Sequence, residues 1–145
     1  MKISTKGRYG LKAMVDLALY STDENTVTLR SISERQSISE RYLEQIFSSL
    51  KKSDLVKSIK GPQGGYMLGR QAKDISVGSI LRALEGDIHI VSTEEEINCK
   101  IDKCIKDNLW NKINGSIDKI VDSITLEDLV MEYSKIDNEE YMFYI

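Results

Sequence analysis

The single proline of the chain lies in Lys60-Gly61-Pro62-Gln63-Gly64-Gly65, between two short β-type runs, LVKSI and YMLG. Proline removes a ladder donor, and the neighbouring glycines reach backbone angles that other residues avoid. The segment is therefore a turn, and the runs beside it form a hairpin. The residues before the hairpin have helical periodicity. With Ser4 or Thr5 as a cap, Leu11, Met14, Val15 and Ala18 fall on one helix face before STDEN breaks the pattern. A short second helix is expected from Thr28 through Gln36, with Leu29 and Ile32 facing inward. A tight connection at Ser37-Ile38 leads to Ser39, a good N-cap with Glu40 in the first turn. Leu43, Ile46, Phe47 and Leu50 make the next stripe, and Arg41, Gln45, Ser48 and Lys52 occupy the opposite face.

Two helices at a short turn followed by a hairpin with a basic tip is the layout of a winged helix-turn-helix. The expected class is mainly α with a small β-hairpin. Charge follows the same division. Residues 1–73 carry 13 Lys and Arg against 7 Asp and Glu, whereas residues 74–145 carry 7 against 16. One half suits a polyanion and the other repels it. A helix fits the major groove and can set Arg41 and Gln45 against base edges. A glycine-rich wing carrying Lys57 and Lys60 lets backbone approach phosphates or the minor groove. The alternative is an ordinary solvated surface on a domain that never meets DNA.

In the second half, ISVGSILRALEG forms a short helix closed by Gly86, followed by an acidic loop of weak periodicity. A long helix then fits Cys104 to Ser123, with Gly115 as its weak point. Ile105, Leu109, Ile113, Ile117, Ile120, Val121 and Ile124 form its stripe. About 20 residues span roughly 30 Å, too far for one small winged domain to cover, so a second copy is the economical partner, the other reading being a core helix of the monomer. Trp110 and Tyr133 are expected to pack at that interface, and Thr125 to cap a short returning helix, LEDLVMEY. The expected organisation is 1–73 as the winged domain, 74–103 as connector helix and acidic loop, and 104–145 as dimerisation helix and tail.

The segments MKISTKGRYGLKAMVDLA, SISERYLEQIFSSLKKSDLVKSIKGPQGGYMLG and SVGSILRALEG resemble the bacterial Rrf-type winged-helix regulators, the family of IscR, NsrR and CymR. The resemblance runs over nearly the whole chain and is strongest to the CymR-like repressors of cysteine metabolism. It implies a homodimeric, sequence-specific repressor on double-stranded operator DNA. Its recognition helix matches Ser39 to Lys52. By position, the DNA-binding set comprises Thr5, Lys6, Arg8, Thr28, Ser39, Arg41, Tyr42, Glu44, Gln45, Lys60, Gly61, Gln63 and Gly64. Lys6 and Arg8 suit phosphates. Glu44 either accepts from cytosine and penalises other bases or serves as an ion-pair partner. Arg41 and Lys60 depart from the iron–sulfur members, and lysine lacks the bidentate fork of arginine.

Those iron–sulfur members hold their cluster with three cysteines and a histidine. Here Cys104 matches the last cysteine, Cys99 sits one residue off the spacing, and Asp107 occupies the histidine position. His89 is a further possible donor. Two thiolates do not complete a four-ligand site, so no cofactor is the expectation, with a cluster on Cys99, Cys104 and Asp107 as the alternative. A reversible disulfide is disfavoured in a reducing compartment. The terminal EEYMFYI resembles the end of the CymR-like members, which work with O-acetylserine sulfhydrylase. By that resemblance Phe143, Tyr144 and Ile145 form a docking peptide, the other reading being a tail folded onto its own core. One histidine, no Ser-His-Asp set, no phosphate loop and no zinc spacing argue against an enzyme. No apolar run approaches the ~18 residues of a membrane span, and a cytoplasmic protein is expected. The rivals are an IscR-like regulator of cluster assembly and a protein-interaction adaptor that never binds DNA.

Overall fold

Serine and threonine caps start the first three helices. The computed structural model describes residues 2–92 and 94–143, with Tyr141 and Phe143 described by backbone alone. α1 (Thr5–Tyr20) begins at Ser4, whose hydroxyl accepts from the Gly7 N–H at 3.2 Å. α2 (Leu29–Gln36) begins at Thr28, which accepts from Ser31, and α3 (Glu40–Lys52) at Ser39, which accepts from Tyr42. Each cap satisfies a donor that the helix itself leaves unpaired. Ser37 turns the chain between α2 and α3 in the left-handed region, at φ 56°. The fully buried line of α1 is Gly10, Ala13, Met14 and Leu17, one residue back from the expected stripe. Leu11, Val15 and Ala18 flank it, half-buried. Ile32, Ile38, Leu43, Ile46, Phe47 and Leu50 close the core beneath α2 and α3.

The hairpin consists of β1 (Val56–Ile59) and β2 (Gly65–Leu68), antiparallel, with Val56 opposite Leu68 and Ile59 opposite Gly65. A third element joins it. Val27 exchanges both backbone hydrogen bonds with Tyr66, at 2.8 and 2.7 Å, and so ties the wing to the segment entering α2. A Cβ at Gly65 would stand 2.7 Å from the Val27 carbonyl oxygen, so only glycine permits this approach. Phe47 meets Tyr66 edge-on with centroids 4.8 Å apart, which seats the sheet on α3.

The core continues past residue 73. α4 (Val77–Glu85), capped by Ser76, buries Ile80 and Leu84 in the same cluster as α1 and α3, together with Ile75 and Leu126. Residue 73 is therefore not a break in packing. After the acidic loop, helix begins at Lys100 rather than Cys104, with Cys99 as N-cap. It runs through α5 (Lys100–Ile105), a π-helical turn over Lys106–Trp110 and α6 (Asn111–Ser123), a rise of about 36 Å. Gly115 does not interrupt it.

The expected seven-residue stripe divides in two. Ile117, Val121 and Ile124 pack on Val77, Leu81 and Ile88 of the chain's own head. Ile105, Leu109 and Ile120 are exposed, and Ile113 is half-buried. The π turn inserts about one residue, rotating α6 by roughly 100° relative to an unbroken α-helix. That rotation keeps the stripe near one face, but it is α6, not α5, that packs on α4, so Ile105 and Leu109 stay uncovered while Ile117 and Val121 meet the head. The returning helix is also longer than expected: α7 (Leu126–Phe143) doubles the length of LEDLVMEY, because nothing in SKIDNEEYMF breaks a helix. Thr125 and Asp128 cap its start reciprocally. No helix among the described residues is long and apolar enough to cross a membrane.

Candidate nucleic-acid interface

α3 is amphipathic, so burying Leu43, Ile46, Phe47 and Leu50 necessarily turns Arg41, Glu44, Gln45 and Ser48 outward. These four and Lys6 of α1 line one open concavity. Lys6 reaches it because the first turn of α1 lies against α3, where its Nζ donates to Ser49 Oγ at 3.0 Å. Arg8 is exposed and donates to Thr5 Oγ1 at 3.2 Å. A cleft with two cations, an amide and a carboxylate around a helix face is equipped to meet both phosphates and base edges. Glu44 makes no ion pair among the described residues, so its carboxylate is available as an acceptor.

The other expected contacts have structural partners as well. Thr28 and Ser39 spend their hydroxyl oxygens as helix caps. Tyr42 is half-buried and stacks edge-on against Tyr9 at 6.1 Å. At the wing, Lys60, Gly61 and Gln63 are exposed. Gly61 adopts φ 112°, and the Gly64 N–H donates to its carbonyl at 2.9 Å. Thr26 Oγ1 donates to the Gln63 carbonyl at 2.9 Å and anchors the tip. Sequence reasoning missed Ser49 and Thr26. Each acts by contacting a residue far along the chain, and local pattern carries no trace of that.

The second half meets the head at α6. Arg82 of α4 pairs with Asp118 at 2.9 Å and Asp122 at 2.6 Å. His89 Nε2 lies 2.8 Å from the other Asp118 oxygen. The hydrogen bonds to His89 and Arg82 hold the Asp118 carboxyl below its usual range. Asn114, buried on α6, binds Ile90 N–H and the Val91 carbonyl and so clamps the loop to the helix. Trp110 is half-buried and lines a cavity with the 95–98 loop, and the exposed Tyr133 lines another with Val15 and Tyr20 of α1. Ile97 and Ile101, outside the expected stripe, are exposed with Ile105 and Leu109.

Cys99 and Cys104 are both exposed and free. Cys99 Sγ accepts from Asp102 N–H, and Asp107 pairs with Lys103 at 3.1 Å. Among the described residues no three His, Cys, Asp or Glu side chains converge on a metal position. Two separate thiolates and an engaged carboxylate do not fit a four-ligand cluster within one chain. Tyr144 and Ile145 of the expected docking peptide lie outside the described residues, as does the Phe143 side chain.

A family model described as "Iron-dependent Transcriptional regulator", Rrf2, matches residues 3–132. The HTH-type transcriptional regulator CymR of Bacillus subtilis is 45% identical over 145 residues, covering all of both chains. The HTH-type transcriptional regulator IscR of Pectobacterium carotovorum is 41% identical over 138 residues, covering 94% of this chain and 84% of that protein. The solved structure of B. subtilis CymR, termed the global cysteine regulator of that organism, superposes with a TM-score of 0.77 at 43% identity. The match covers 91% of this chain and 98% of the other.

Proposed function

Because the chain belongs to the Rrf2 family of transcriptional regulators, we propose that it is a homodimeric repressor that binds an inverted-repeat operator and controls cysteine metabolism. The observation that carries DNA binding is the convergence of Lys6, Arg41, Glu44 and Gln45 on one open face. Ile101, Ile105 and Leu109 supply the surface through which two copies pair, and pairing sets the half-site spacing. The cysteine assignment rests on end-to-end similarity to a relative that carries that role. A resident cluster is not part of the reading, because the donor set is short of ligands.

Selection from a random DNA pool, followed by footprinting and sedimentation, tests the reading. The expected result is a two-fold symmetric site holding two chains. Log affinity should fall with log salt by about 0.9 per neutralised phosphate. An adaptor would enrich no sequence and show no such slope.

For the signal input, the proposed partner is O-acetylserine sulfhydrylase, engaged by the terminal Phe143-Tyr144-Ile145. Removing these three residues is expected to abolish sulfhydrylase binding in a calorimetric titration while leaving operator affinity unchanged. Unaltered sulfhydrylase binding by the shortened chain sinks the docking role.

A further inference from the structure

The first turn of α1, Thr5-Lys6-Gly7-Arg8, is built against its own helix dipole. It carries two cations at the positive end and no acid. The missing acid comes from 81 residues away. Glu85, the last residue of α4, accepts from the Ser4 backbone N–H at 3.0 Å and from the Ser4 hydroxyl through the same oxygen. A hydroxyl that donates its proton to Glu85 turns a lone pair toward the Gly7 N–H, so the carboxylate orients the cap. Gly7 leaves the room this needs, since a Cβ there would overlap the Glu85 carboxylate. One turn earlier on α4, Arg82 is bound to Asp118 and Asp122, which fixes the helix that carries Glu85 against α6.

We infer that Glu85 is a positioning residue for operator binding: it holds the N-terminus of α1 so that Lys6 and Arg8 can face phosphate. A basic first turn violates local helix chemistry, and such a violation is expected where function needs the charge. The inference rests on the proposed DNA binding. If wild-type protein binds no DNA in the selection experiment, that reading fails; if it binds, variants around Ser4 and Glu85 decide the role of Glu85.

Glu85→Ala is expected to weaken operator binding about tenfold, with Ser4→Ala similar and the double variant no worse than either single one. Glu85→Gln keeps the acceptor oxygen and should recover most of the affinity. Gly7→Ala displaces the carboxylate without deleting it and should reproduce the Glu85→Ala loss, which covers the case of Glu85→Ala not folding. The decisive readout is a cycle. In the Glu85→Ala or Gly7→Ala background, Lys6→Ala should cost less than about twofold, whereas Arg41→Ala should cost what it costs in wild type. A merely structural loss would weaken both contacts alike. Wild-type affinity in Glu85→Ala, or an unchanged Lys6→Ala penalty in its background, overturns the inference.

Discussion

Operator binding by the Lys6→Glu, Arg41→Glu double variant is expected to fall by more than about 100-fold, with a salt dependence at least about two units of slope shallower. Both residues line the concavity beside α3 and make no ion pair among the described residues, so reversal costs the fold little. Each reversal removes one phosphate-facing or base-facing cation and installs a charge that DNA repels. The two singles should differ in kind. Lys6→Ala should weaken all sequences uniformly, as loss of a phosphate contact does. Arg41→Ala should relax preference at one position of each half-site, a discrimination of about 1–3 kcal/mol. Binding measured across salt concentrations and single-base operator variants checks both. An unchanged slope in the double variant would place the operator on another face of the protein.

Arg35→Ala is expected to destabilise the head by about 3–5 kcal/mol, because it strands a buried carboxylate. The Asp16 side chain is fully buried in the side of α1. It receives Arg35 Nε at 2.9 Å and Nη2 at 2.8 Å, a bidentate fork, and Gln36 Nε2 at 2.7 Å. Arg35 also lies 4.0 Å above the Tyr20 ring. The pairing holds Arg35 firmly protonated, chiefly through the hydrogen bond to Asp16. It also fixes α2 against α1, and with it the angle at which α3 is presented. For a chain of this length the loss corresponds to a melting shift on the order of 10–15 °C. Replacing both residues with apolar ones should recover much of it, since the penalty comes from an unpaired buried charge and not from lost volume. Thermal unfolding of the single and double variants measures this; a drop of only about 2–3 °C in Arg35→Ala, well short of the expected shift, would show that Gln36 and solvent suffice for Asp16.

Much of the fold and of the candidate interface was legible because it is written locally. Ser4, Thr28, Ser39 and Ser76 sit where a polar side chain can bond a backbone N–H two or three residues on, and each opens a helix. The stripe of α3 follows from its period. Once Leu43, Ile46, Phe47 and Leu50 are inside, the outward direction of Arg41 and Gln45 is settled by helix geometry alone. The glycines of the wing announce a turn by the backbone angles they permit.

Other features depend on partners that no short window contains, and only the tertiary structure decided them. Val27 joins the sheet as a single residue, too short to show a strand period. The stripe from Ile105 to Ile124 looks uniform in sequence, yet only α6 packs on α4, so Ile117 and Val121 meet the chain's own head and Ile105 and Leu109 stay outside. Asp16 finds Arg35 across 19 residues, and Ser4 finds Glu85 across 81. The sequence by itself determined the helices of the head, the caps at Ser4 and Ser39, the wing and the charge that suits DNA, because hydrogen-bond reach and side-chain period act within a few residues. Which carboxylate neutralises which buried or dipole-opposed group was decided by packing, because that pairing depends on distances in space and leaves no periodic trace along the chain.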